Sequence, residues 1–244
     1  MNEINIDPLI FNKTNEVKIN GEIYIKKDFN NNLRKQQMAN EVIELNPNKQ
    51  YILCGDISAS MQATDDKCGG QQRYGYMVEK FKQFIKEAED FDADGPTIFM
   101  FGEKVHQYLN TTLEKVEKHL NAPKFEGFTN THLVIHEAWA MHKAEKEALA
   151  KDGKTHSGTV VFVFTDGDPT NRLALERTIR DIANTVDNDE EFSIGFILVG
   201  SIAPELKAYL DKLDDDLKAK FDIVGVNEIE GLSFLKAVHT AIHE

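Results

Sequence analysis

Two continuous apolar, β-branched runs in this chain each lead straight into a carboxylate. The first is Tyr51-Ile52-Leu53-Cys54-Gly55-Asp56, continuing as Ile57-Ser58-Ala59-Ser60, and the second is Thr159 to Phe164, ending in Thr165-Asp166-Gly167. Runs without polar alternation read as strands covered on both faces, the condition of a parallel sheet with helices above and below it. In an open sheet of that kind ligands bind outside the carboxyl ends of the strands, where the strand order reverses. Asp56, Ser58 and Ser60 stand at alternate positions, so a loop that curls after the strand brings one carboxylate and two hydroxyls together as hard oxygen ligands for a divalent cation. Taken alone, Asp-x-Ser-x-Ser is equally a turn or a helix cap. The loop Gly127-Phe128-Thr129-Asn130-Thr131, ahead of a helix-like segment, adds a third piece, and all three can meet at one end of the sheet.

In order and in spacing, Asp56-Ile57-Ser58-Ala59-Ser60-Met61, Gly127-Phe128-Thr129 and Thr165-Asp166-Gly167 resemble the metal-ion-dependent adhesion site of von Willebrand factor A domains. The resemblance spans residues 49–244. It implies a doubly wound α/β fold with a mostly parallel, helix-flanked sheet that binds Mg²⁺, with Mn²⁺ or Ca²⁺ as alternatives. Carried over by position, Ser58, Ser60 and Thr129 are hydroxyl ligands, and Asp56 and Asp166 are carboxylates acting directly or through water. Thr131 offers a second hydroxyl in the same loop; Thr129 is favoured by its place two residues after the glycine. The resemblance also implies a mode of action, in which the metal is completed by an Asp or Glu of a partner protein. Among members of the family, a nearly free-standing domain looks most like microbial tellurite-resistance or stress-type proteins.

The net charge of −13 over 244 residues speaks against nucleic acid or an anionic membrane surface as partner, since both need a cationic footprint. No run approaches the length of a membrane span and the N-terminus has no apolar leader, so a cytoplasmic location is expected. Two cysteines fit a reducing compartment: Cys54 as a core residue, Cys68 as an exposed thiol in a polar loop. Residues 1–48 form an extension, with a hairpin alternating around Asn20-Gly21 and a short helix near residues 36–45, and 49–244 form the main domain.

Within that domain the segment 61–73 is expected to be a solvated insertion, with Asp65 and Asp66 near the cation or shading it as alternatives. Helical spacing predicts helices over 74–90, 113–120, 130–150, 168–186, 204–213 and 229–242, and strands over 97–101, 105–108, 192–199 and 221–226. In the 130–150 helix the buried stripe is expected to be Val134, Ala138, Met141, Ala144 and Ala148, with His142 on the polar side. His132, His136 and Glu137 share that helix, but the His-Glu-x-x-His order of a zinc helix is missing. Asp168-Pro169 reads as an N-cap and first-turn proline.

The leading function is therefore a metal-dependent protein-interaction module without catalysis. A Mg²⁺-dependent hydrolase of phosphate esters is the alternative from another class. Against it, position 58 is Ser where an Asp-x-Asp phosphatase has its second carboxylate, and no glycine-rich phosphate loop with Lys occurs. A scaffold with a structural metal is the third reading.

Overall fold

In the computed structural model the described residues are 16–19, 22–25, 49–88, 95–109 and 111–243. The chain divides into two units, residues 1–44 and 45–244. In the first, β1 (Glu16–Ile19) and β2 (Glu22–Ile25) form the expected antiparallel hairpin, Ile19 facing Glu22 across the ladder. The helix expected near residues 36–45 lies outside the described residues.

The second unit is built on a six-stranded sheet. Its strands are β3 (Gln50–Asp56), β6 (Thr97–Phe101), β7 (Val105–Tyr108), β8 (Thr159–Thr165), β9 (Phe192–Leu198) and β10 (Val224–Glu228), and between β3 and β6 lies a small antiparallel pair, β4 (Thr64–Asp65) and β5 (Gln71–Gln72). The order across the sheet is β10-β9-β8-β3-β6-β7, parallel throughout except for β7, which returns antiparallel at the edge. After β3 the chain builds outward through β6 and β7, then comes back to lay β8 on the other side of β3 and builds the opposite way. The reversal thus falls between β3 and β8, the two strands that carry Asp56 and Asp166. The doubly wound α/β class implied by the resemblance, with the two apolar runs as buried parallel strands, is the class observed.

Alternation along these strands divides the core in two. Tyr51, Leu53, Val160, Phe162 and Phe164 point to the face covered by α1 (Arg73–Ala88), α2 (Leu113–Leu120) and α6 (Phe234–His243). Ile52, Cys54, Val161 and Val163 point to the face covered by α3 (Thr131–Lys151), α4 (Arg172–Thr185) and α5 (Pro204–Asp215). On the first face Phe84 of α1 sits edge-on to Phe162, Phe164 and Phe234, each at 5.6 Å between ring centroids. Such pairs add to the area each ring buries, and they lock α1 and α6 to the middle of the sheet.

Five local expectations are corrected. β10 begins at Val224, after a turn in which Asp222 accepts the Val224 N–H, and α6 begins at Phe234, whose N–H is capped by the Glu87 carboxylate at 2.7 Å. Cys68 is not an exposed thiol: it is buried, and burial pushes it up to about 11. The 61–73 segment is exposed over most of its length but is not a loose insertion, since Met61, Asp65 and Cys68 are buried and it folds into two 3-10 turns and the β4–β5 pair. In α3, Ala144 and Ala148 are exposed and the stripe is instead Thr131, Val134, Ile135, Ala138 and His142.

His142 is fully buried, stacked on Trp139 and edge-on to Phe192. Its Nδ1 pairs with Thr159 Oγ1 at 2.9 Å and its Nε2 with Glu191 Oε1 at 3.3 Å. Burial outweighs the Glu191 bond, which works the other way, and lowers the imidazole to about 4. The unfolded chain therefore takes up a proton near the ordinary 6.5 that the folded chain refuses until about 4, so this group withdraws stability as pH falls through that window. Between pH 7 and 4.5, wild type should lose about 2 kcal/mol more stability than His142→Gln, read from urea unfolding at each pH; parallel losses would place the imidazolium elsewhere.

Candidate functional site

At the carboxyl end of β3 the backbone turns sharply through Ser58 into a 3-10 turn over Ala59–Gln62. Asp56, fully buried at the strand end, organises the turn: Oδ1 accepts the Ser58 N–H at 2.7 Å, and Oδ2 accepts the Thr165 hydroxyl at 2.6 Å from the end of β8. The turn brings Ser58 Oγ and Ser60 Oγ to 3.0 Å, and Ser60 Oγ donates to Asp166 Oδ1 at 2.9 Å. Ser58 and Asp166 are buried while Ser60 is exposed, so the cluster reaches solvent through Ser60.

The third loop is stitched to the other two. Glu126 N–H donates to Ile57 O at 2.8 Å and Asn130 N–H to Gly102 O at 3.2 Å. Thr129 is held from the far side, its N–H donating to Thr170 Oγ1 at 2.9 Å and its carbonyl accepting the Thr170 N–H at 3.0 Å. Gly167 shows where these loops converge. A Cβ at that residue would lie 3.5 Å from Thr129 Oγ1, 3.7 Å from Ser60 Oγ and 4.0 Å from Asp56 Oδ2. Three oxygens of the five expected ligands thus surround one small space, and hydrogen bonds join Ser58 and Asp166 to the same set. Thr131 starts α3, and its hydroxyl is buried with no hydrogen-bond partner among the described residues.

Burial raises Asp56 to about 6, more than the bonds from Thr165 and Ser58 lower it, and the neighbouring Asp166 charge adds to the rise. Two carboxylates and three hydroxyls gathered in one hydrogen-bonded cluster make a hard, oxygen-only donor set, suited to Mg²⁺, Mn²⁺ or Ca²⁺ rather than to softer metals. Such a set fits the expected ion, although among the described residues no group of three or more His, Cys, Asp or Glu is placed to hold one. No helix among the described residues is long and apolar enough to cross a membrane.

Sequence reasoning missed one participant. Arg73, the first residue of α1, donates from Nη1 to Asp166 Oδ2 at 2.6 Å, and from Nε and Nη2 to Asp65 Oδ2 at 3.1 and 2.8 Å. Asp65 also accepts the Ser201 N–H at 2.8 Å, the Ser201 hydroxyl at 2.9 Å and the Lys67 N–H at 3.0 Å. Burial works against the Asp65 charge, yet these donors outweigh it and hold the carboxyl well below its ordinary range. Asp65 therefore faces Arg73 and the loop after β9, and the 61–73 segment straps that loop to the site. The one available signal was an arginine at a helix start, where the macrodipole disfavours a cation. Asp168 is corrected too: Asn171 caps α4 by accepting the Ala174 N–H, and Asp168 forms an exposed fork with Arg172 at 2.6 and 2.7 Å. The helix starts late because Thr170 is engaged with Thr129.

No protein-family model matches the chain, and no curated protein matches it. Solved structures of similar fold include a manganese-loaded TRAP protein of Plasmodium vivax, 12% identical over 80% of this chain and 73% of that one, with a TM-score of 0.44. The RO (RSR) protein of Deinococcus radiodurans is 12% identical over 81% of this chain and 35% of its own, with a TM-score of 0.48. Proximal thread matrix protein 1 of the mussel byssus is 15% identical over 80% of this chain and 46% of its own, with a TM-score of 0.42.

The strap has a sharp steric requirement at Gly200, which has φ +82° and where a Cβ would lie 2.8 Å from Asp65 Oδ2 and 2.9 Å from Arg73 Nε. Gly200→Ala should cost about 2 kcal/mol and lower Tm by roughly 4–8 °C in a thermal melt. An unchanged melt would mean the strap yields without resistance.

Proposed function

We propose that this chain is a divalent-metal-dependent protein-interaction module of the von Willebrand factor A type, without catalytic activity. The observation that carries the reading is the convergence of Thr129 Oγ1, Ser60 Oγ and Asp56 Oδ2 on the space beside Gly167, with Ser58 and Asp166 bonded into the same cluster. Asp56, Ser58, Ser60, Thr129 and Asp166 would hold the ion. A divalent ion there supplies an electrophilic point that neutral hydroxyls and only two carboxylates leave partly uncompensated, so an acidic side chain of a partner can complete it. Asp56 and Asp166, anchored by Thr165 and Arg73, keep the set in place with little rearrangement.

Surroundings of the site fit protein docking. Phe128, next to Thr129, is 50% exposed, and Leu173, at the start of α4, is 56% exposed. Large apolar side chains left in solvent beside a charged centre are a feature of interaction surfaces. The hydroxyls of Ser58 and Ser60 bond each other and Ser60 also bonds Asp166, so among the described hydrogen bonds neither serine is paired with a histidine base, which supports the non-catalytic reading.

Calorimetric titration of metal-stripped protein with Mg²⁺, Mn²⁺ and Ca²⁺ should give one-site binding that Asp56→Ala combined with Ser58→Ala abolishes, a loss of at least about 100-fold in affinity. Capture of an acidic partner from solution should likewise disappear in EDTA. Partner binding that persists without divalent ions would defeat the proposal, and metal-dependent turnover of generic phosphate esters, lost in Asp56→Ala, would move the chain to the hydrolases.

A further inference from the structure

Arg73 stands where a cation is least welcome, at the N-terminal end of a 16-residue helix. Its guanidinium is only 17% exposed, and it divides its donors between Asp166 on one side and Asp65 on the other. Asp166 is consequently shared: Oδ2 accepts from Arg73 while Oδ1 accepts from Ser60 in the ion cluster. Asp65 in turn is anchored by both the backbone and the hydroxyl of Ser201, beyond the end of β9. The close packing of Gly200 against both Asp65 and Arg73 leaves the pair little room to shift.

We propose that Arg73 is a resident cation of the ion site, one that fixes Asp166 in the absence of metal and sets how tightly metal binds. The inference rests on the divalent-ion reading above. A guanidinium keeps its charge at every accessible pH, and one bonded directly to a metal carboxylate repels an incoming dication. Asp65, bonded to the same guanidinium, offsets part of that repulsion. Metal affinity is thus balanced between two residues, neither of which is among the five expected ligands.

The balance predicts effects of opposite sign. Arg73→Gln removes the repulsion and should tighten Mn²⁺ binding roughly tenfold, whereas Asp65→Asn leaves the guanidinium uncompensated and should weaken it by a similar factor. In the double variant the two effects should largely cancel. Calorimetry with Mn²⁺ on the metal-stripped full chain reads all four proteins, and metal-free melts read the positioning role, where Arg73→Gln should melt below wild type. If Arg73→Gln alone does not fold, the comparison of Asp65→Asn with the double variant, which lacks both members of the Arg73–Asp65 pair, carries the same sign. A strap with a purely structural role would weaken Mn²⁺ binding in every variant, and that result overturns the proposal. Wild type that binds no Mn²⁺ overturns the divalent-ion reading and this proposal together, while wild-type binding with no tightening in Arg73→Gln overturns this proposal alone.

Discussion

Two carboxylates held beside each other at the ends of adjacent strands are the constraint on which the upper end of the sheet depends. Asp56 is fully buried and Asp166 nearly so, and removing such groups from water costs several kcal/mol unless hydrogen bonds or opposite charge replace the lost hydration. The surrounding loops supply those replacements. Thr165 and the Ser58 amide serve Asp56; Ser60 and Arg73 serve Asp166. The donors come from three separate places in the chain, so satisfying two side chains ties together the ends of β3 and β8 and the start of α1.

The same logic explains the strap. Arg73 satisfies Asp166 but is itself largely withdrawn from water, which calls for Asp65; Asp65 is buried in turn and draws its remaining donors from Ser201 and Lys67. A chain of compensations therefore runs from the proposed ion position to the loop after β9. Any event that changes the charge at Asp166 is felt along it, and this gives the 61–73 segment a physical role that its polar composition conceals.

At the other end of the sheet, Thr159 and Glu191 hold the buried imidazole of His142 by its two ring nitrogens. A polar group in the core is tolerated there because both nitrogens have partners, the condition that separates an acceptable buried histidine from a destabilising one. The helix-face pattern placed His142 among polar residues because it is polar by composition. Its environment is decided by Thr159 and Glu191, which only the packing of α3 against β8 and β9 brings to it.

The class of fold was legible in the residues themselves. Continuous apolar runs in β3 and β8 require cover on both faces, and the strand-to-carboxylate junctions at Asp56 and Asp166 mark the end where a site would form. Ser58 and Ser60 could be named because loop spacing after a strand is a local property, whereas Thr129 was implied by the resemblance to von Willebrand factor A domains. Nothing local placed Arg73 on Asp166, 93 residues away, Asp65 on Ser201, 136 residues away, or Cys68 in the core. Those contacts arise only when the winding of the sheet sets the start of α1 beside the ends of β8 and β9. Hydrophobic pattern and strand–loop junctions are written along the chain, whereas the pairing of buried charges depends on which chain ends the topology brings together.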